Sequence, residues 1–182
     1  KGYYYFNWSP SINTWYHIAL ERTNIAGVIF INGIEQSLTT NTAFGTNDVG
    51  NISSNLYIGQ RGSGANYFSG YIDEFRISKG IARWTSNFTP PINEYDIDIN
   101  TKSLLLFNNN VTDEVGKIWT PTDITFSDTI KKSGSHSAVF NGTTSFINTP
   151  DSDDFSFGTG NFTIDFWIKP DTSKEHGLIN QY

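Results

Sequence analysis

Short, strand-like apolar runs, each closed by a turn signal, fill the 182-residue chain from end to end. Trp15-Tyr16-His17-Ile18-Ala19-Leu20 alternates large apolar with mixed positions. Gly27–Ile31 stops at Asn32-Gly33, a strong short hairpin signal. Leu56–Gly59 is another short run. Tyr67–Ile77 reads as a longer strand, with Tyr71, Asp73, Phe75 and Ile77 expected on one face and Ile72, Glu74 and Arg76 on the other. Ser103–Phe107, Ser137–Phe140, Ser145–Asn148 and Phe162–Ile168 repeat the style, and Asn141-Gly142 is expected as a second hairpin turn. Gly62-Ser63-Gly64, Asn108-Asn109-Asn110 and Gly158-Thr159-Gly160 separate runs. Ser78–Thr85 alone is helix-like, for about two turns. Eight or more short strands without a long helix predict an all-β sandwich.

Composition agrees. Aromatic residues make up 15%, charged residues only 16%, and Asn, Thr, Ser and Ile outweigh Leu and Ala, which favours strands over bundles. The net charge of −6 excludes a diffuse basic footprint for nucleic acid or an anionic membrane. Without cysteine there is no disulfide, thiolate metal site or thiol nucleophile. No apolar run approaches the ~20 residues of a membrane helix. No methionine occurs, as expected of a processed product or an internal segment. Two prolines and an acidic, unpatterned stretch mark Thr89–Asn100 as either a linker or a long surface loop.

Several stretches together resemble the laminin-G-like / concanavalin-A-like jelly-roll family. They are Thr14–Arg22, Ile29–Gly33, Leu56–Gly59, and Phe68–Ile77 continuing through Gly80–Trp84 to Phe88-Thr89-Pro90-Pro91. Ser103–Phe107, Gly134–Gly142, Ser145–Asn148 and Asp154–Pro170 resemble the opposite end of the same family. The style is similar to modules of bacterial surface proteins and phage virion and tail proteins. The resemblance implies a jelly-roll β-sandwich of two antiparallel sheets, placed extracellularly, on a cell surface or on a virion. It reads residues 1–92 as a C-terminal half, 93–102 as a linker and 103–182 as an N-terminal half, in exchanged order. The chain is then a circular permutant, a window of a tandem array, or a subunit whose halves complete neighbouring copies. The linker-like Pro90–Lys102 favours the last two readings.

Chemistry is sparser. Glycanases of this fold use paired carboxylates on one strand. Thr163–Ile168 holds only Asp165, and Asp73 and Glu74 are expected on opposite faces. His17, His136 and His176 stand in unrelated contexts, and no nucleophile elbow occurs. A non-catalytic module is therefore expected, with His17 structural. Some relatives carry a structural calcium on a late-strand acid, where Asp73 stands; the alternative is that Asp73 accepts turn hydrogen bonds. The Asp151-Ser152-Asp153-Asp154 and Asp113-Glu114 clusters lack an EF-hand pattern. Glycan binding, the role the family implies, needs an aromatic face and polar groups. Gln60, Arg61, Asn66 and Tyr67 offer such a rim. Trp119 and the Tyr3–Trp8 run are other aromatic candidates, the run also reading as a strand, while Trp15, Trp84 and Trp167 are expected in the core. Expected partners are glycans or neighbouring copies of the module.

Overall fold

The computed structural model describes residues 3–50, 52–62 and 66–181. Ser63, Gly64 and Asn51 thus lie outside the described residues. Fourteen strands are present there: β1 (Tyr3–Tyr5), β2 (Tyr16–Thr23), β3 (Ala26–Ile31), β4 (Ile34–Glu35), β5 (Thr39–Thr42), β6 (Leu56–Ile58) and β7 (Ser69–Lys79). Then follow β8 (Thr101–Leu105), β9 (Thr120–Thr122), β10 (Thr125–Ser127), β11 (Ser137–Asn141), β12 (Phe146–Thr149), β13 (Phe162–Pro170) and β14 (Ile179–Gln181). All their pairings are antiparallel. An eight-stranded sheet runs β10-β11-β7-β13-β2-β3-β4, with β8 also on β7. A four-stranded sheet runs β14-β6-β12-β9, and β1 pairs β5. The expected antiparallel sandwich is what forms.

Strands from both segments of the sequence interleave. β13 lies between β2 and β7, and β11 pairs β7. The core between the sheets includes Ile58, Ile72, Phe75, Phe140, Ile147 and Phe166, all essentially buried. Each such side chain contributes about 1.5–3 kcal/mol of hydrophobic stabilisation.

Three expectations are corrected. Along β7 the alternation does not run through: Ile72, Phe75 and Ile77 all enter the core. Glu74 takes φ +55° and the register against β13 shifts between Asp165 and Trp167, so one extra residue flips the pattern. Glu74 and Arg76 therefore reach Tyr95 on the outer side, away from that core. Asn141-Gly142 does not close a hairpin either. It carries the chain from β11 in one sheet to β12 in the other. Asn141 Oδ1 accepts from the backbone N–H groups of Thr143, Thr144 and Ser145, which holds the bend. Residues 78–85 form no helix, because Ser78 and Lys79 continue the ladder with β13.

Residues 84–100 are not a loose tether but a strap packed on the outer side of the large sheet. Trp84 and Phe88 stack at 4.0 Å, and both rings meet His17 edge-on. The Phe88 N–H donates to the Gly33 carbonyl at 2.9 Å. Tyr95 is buried beside Leu104 and Trp167. Arg83 grips the Asp98 carboxylate with two bonds of 3.0 Å. Lys102, placed in the linker by sequence, belongs to β8.

Candidate functional site

Three connections meet at the start of β7. Asn66 and Tyr67 lead into the strand, residues 141–143 leave β11, and residues 172–176 join β13 to β14. Backbone bonds fix them together. Gly142 N–H donates to Phe68 O at 3.0 Å, Asp171 N–H to Ser69 O at 3.0 Å, and Gly177 N–H to Asn66 O at 2.8 Å. Asn66 holds φ +52° to make that approach. Gly142 is needed at its place, since a Cβ there would stand 2.8 Å from the Ser69 Cβ at φ +75°. The cleft so formed has a volume of about 580 Å³.

Its lining is polar around one aromatic ring. Tyr67 is half-buried, and Asn66 and Lys174 are exposed. His176 is braced from both sides: Nδ1 lies 3.2 Å from the Tyr67 carbonyl, Nε2 3.2 Å from Thr172 Oγ1, and the ring meets Phe68 edge-on. Arg61 and Glu175 form an exposed ion pair that ties the 60–61 turn to the third connection. A neighbouring cleft of about 380 Å³, lined by Trp8, Pro10 and Pro170, shares Lys174, Glu175 and His176. Amide, hydroxyl and ammonium groups beside aromatic faces can meet the hydroxyls and C–H surface of a sugar.

The structure brings together Asn66 and Tyr67 of the sequence-predicted rim. Arg61 stands beside it through Glu175, whereas Gln60 is only 3% exposed and does not stand on the rim. Sequence reasoning missed Asn141, Thr143, Thr172, Lys174 and His176. The Asn-Gly turn was visible in the sequence, but its neighbour across the cleft was not. Trp119 is buried, its Nε1–H donating to Ser103 Oγ and Asp113 Oδ2 at 3.1 and 3.0 Å, so it is no exposed platform. Trp8 packs partly on the core and edge-on to Tyr16.

Asp73 is fully buried, and its carboxylate accepts from the backbone N–H groups of Glu74, Lys132 and Ser133 at 3.0, 2.8 and 3.2 Å. These bonds fill the oxygens a cation would need, and among the described residues no three His, Asp or Glu side chains converge as a metal cluster. Burial nevertheless pushes the Asp73 carboxyl up to about 7.

Other buried charges lie outward of the sheet, beneath the strap. Asp165, completely buried, receives two bonds from Arg76 at 3.0 and 2.9 Å, with His17 Nε2 at 3.7 Å. Burial alone would raise its pKa, but the His17 and Arg76 contacts outweigh it and hold Asp165 below the usual range. His17 Nε2 also meets the Tyr95 hydroxyl at 2.9 Å. Burial pushes Glu21 up to about 7 and Glu74 up to about 8, despite bonds from Thr163 and Trp84 to the first and from Tyr95 to the second. This enclosed network is structural in form: every one of these carboxylates is fully buried.

Fold and cleft define a concanavalin A-like β-sandwich with a polar surface cleft. Residues 2–83 match the model of the concanavalin A-like lectin/glucanases superfamily. No curated protein and no solved structure matches the chain. Among the described residues no helix is long and apolar enough to cross a membrane.

Proposed function

We propose that the chain is a non-catalytic carbohydrate-binding module of an extracellular or virion adhesion protein, and that its glycan lies in the cleft between Asn66, Tyr67, Thr143 and Lys174. The observation that carries this reading is the convergence of three separate connections on one polar cleft with an aromatic wall, in a chain of which residues 2–83 match the model of a lectin/glucanase superfamily. The non-catalytic part rests on the carboxylates. Glycoside hydrolysis uses two of them flanking the bond. The cleft lining offers Glu175 alone, paired with Arg61, and Asp165 is enclosed by Arg76 and His17. Binding of the folded chain to a related group of glycans, weakened roughly tenfold or more by Tyr67→Ala and by Lys174→Ala, is the expected result. A blank glycan array from folded protein, or release of reducing ends from a bound glycan, would reject it.

A second reading is a structural subunit of a fibre, tail or surface layer, with halves exchanged between copies. It is favoured by the place of β13 between β2 and β7: the same contacts formed between two chains would join them. A mass ladder rather than a monomer in light scattering distinguishes this reading from the first.

A further inference from the structure

We propose that an apolar slot under β2 and β3 is the docking site of an extended polypeptide strand, apolar at alternate positions, which joins the four-stranded sheet at the edge of β14. The slot has a volume of about 220 Å³, and none of its lining residues is polar. Its floor is made of Ile18 and Leu20 of β2, Ile29 and Ile31 of β3, and Ile164 and Phe166 of β13. Within each strand the two residues stand two apart, so the floor repeats at the period of a strand laid across it. Phe6 and Trp8 complete the lining together with Leu178 and Ile179.

Ile179 opens β14, and β14 is what selects a strand over any other apolar occupant. It ends the order β14-β6-β12-β9, so among the described residues its far side is a sheet edge. The Leu178 carbonyl accepts from Gly59 N–H at 3.0 Å, on the β6 side. Antiparallel pairing alternates, so the N–H and C=O of Ile179 and of Gln181 face away from β6, toward that edge. An acyl chain or detergent would fill the slot yet leave these groups without partners. A strand satisfies both at once, its backbone bonding β14 and its alternate side chains entering the slot. None of the slot's residues lines the glycan cleft, so the inference is independent of the proposed function.

The probe is a short synthetic peptide alternating valine with threonine and capped by lysines, added to the whole folded chain. Two controls accompany it: the same composition in scrambled order, and the same sequence N-methylated along the edge that would meet β14. Amide hydrogen exchange at Ile179 and Gln181 should slow roughly tenfold or more with the first peptide and with neither control. Ile179→Lys should weaken binding of the alternating peptide roughly tenfold while leaving the binding of any glycan unchanged. No slowing in a chain that keeps its thermal transition would overturn the proposal. Equal binding of the N-methylated peptide would also overturn it, because the slot would then be an apolar cavity indifferent to backbone. So would full protection of both amides in the free chain at every dilution, since the edge would already be covered from within.

Discussion

Asp165 has no exposed surface and sits between the Arg76 guanidinium and the His17 imidazole, and removing its charge leaves Arg76 buried without its partner. Breaking one side of a buried pair costs about 3–5 kcal/mol. Asp165→Asn should therefore lower unfolding free energy by about that amount in urea titration, while Asp48→Asn, on an exposed turn, should change it by less than about 0.5 kcal/mol. The raised carboxylates fix how stability depends on pH. Glu21, Asp73 and Glu74 carry protons in the folded chain up to about 7, about 7 and about 8, from ordinary values of 4.5, 3.8 and 4.5. The folded state thus binds more protons than the unfolded one between those limits. Their contribution is fully present below about pH 4 and is lost as pH rises through 7 to 8. Asp98, Asp154 and Asp165 are lowered, so their contribution is lost as pH falls below the usual carboxylate range. A melting series should peak at mildly acidic pH and decline toward pH 9, and Glu74→Gln should flatten the alkaline side. A decline that Glu74→Gln leaves untouched would show that the loss has another source. Because N–H donors fill the Asp73 oxygens, excess EDTA should leave the melting temperature where it is; a drop that calcium restores would show a cation held there.

The β3–β4 hairpin shows the reach of a single element. Asn32 and Gly33 take φ +50° and +76°, the paired left-handed conformation of a two-residue turn. The turn also receives the strap, since Phe88 donates to the Gly33 carbonyl and a Cβ at Gly33 would run into the Phe88 carbonyl. Gly33→Ala should cost about 2–4 kcal/mol, combining backbone strain with lost docking. Gly116→Ala meets nothing within 4 Å at φ +94° and isolates the strain, which costs about 1–2 kcal/mol. Similar losses in the two variants would mean that the strap contact contributes nothing. Elements of this kind were legible in the sequence because Asn-Gly and alternation are local. The bulge at Glu74 was not, because nothing local tells an eleven-residue strand with an extra residue from a regular one. Asn141-Gly142 was legible as a bend but not as a change of sheet, which depends on β12 finding β6 and β9. For the cleft, Asn66 and Tyr67 could be found beside a strand end. Thr143 and Lys174, distant along the chain, reach the cleft only through the pairing of β11 and β13 with β7.

At the scale of the molecule, the two segments read as separate halves share one core. β13 contacts β7 along eight register pairs and β2 along seven, so neither segment closes a sandwich without the other. The strap between them is held at both ends, by Trp84 and Phe88 against His17 and by Tyr95 against Glu74 and Arg76. Between Phe88 and Tyr95 the strap is open, with Ile92, Asn93 and Glu94 exposed. Exposed backbone of this kind is where a protease cuts a native chain. A nick there removes no ladder bond and no core contact, so the two fragments should stay together. Limited proteolysis should yield two pieces in a denaturing gel that still elute as one species under native conditions, with coincident near- and far-ultraviolet transitions on heating. The light-scattering mass at dilution decides whose partner each fragment holds. A mass equal to one chain means each segment is completed within its own chain, because the contacts of β13 are then satisfied there. A mass that is a multiple of the chain, surviving dilution, means the same ladder is being made between copies, and the strap is then the crossover joining one sandwich to the next.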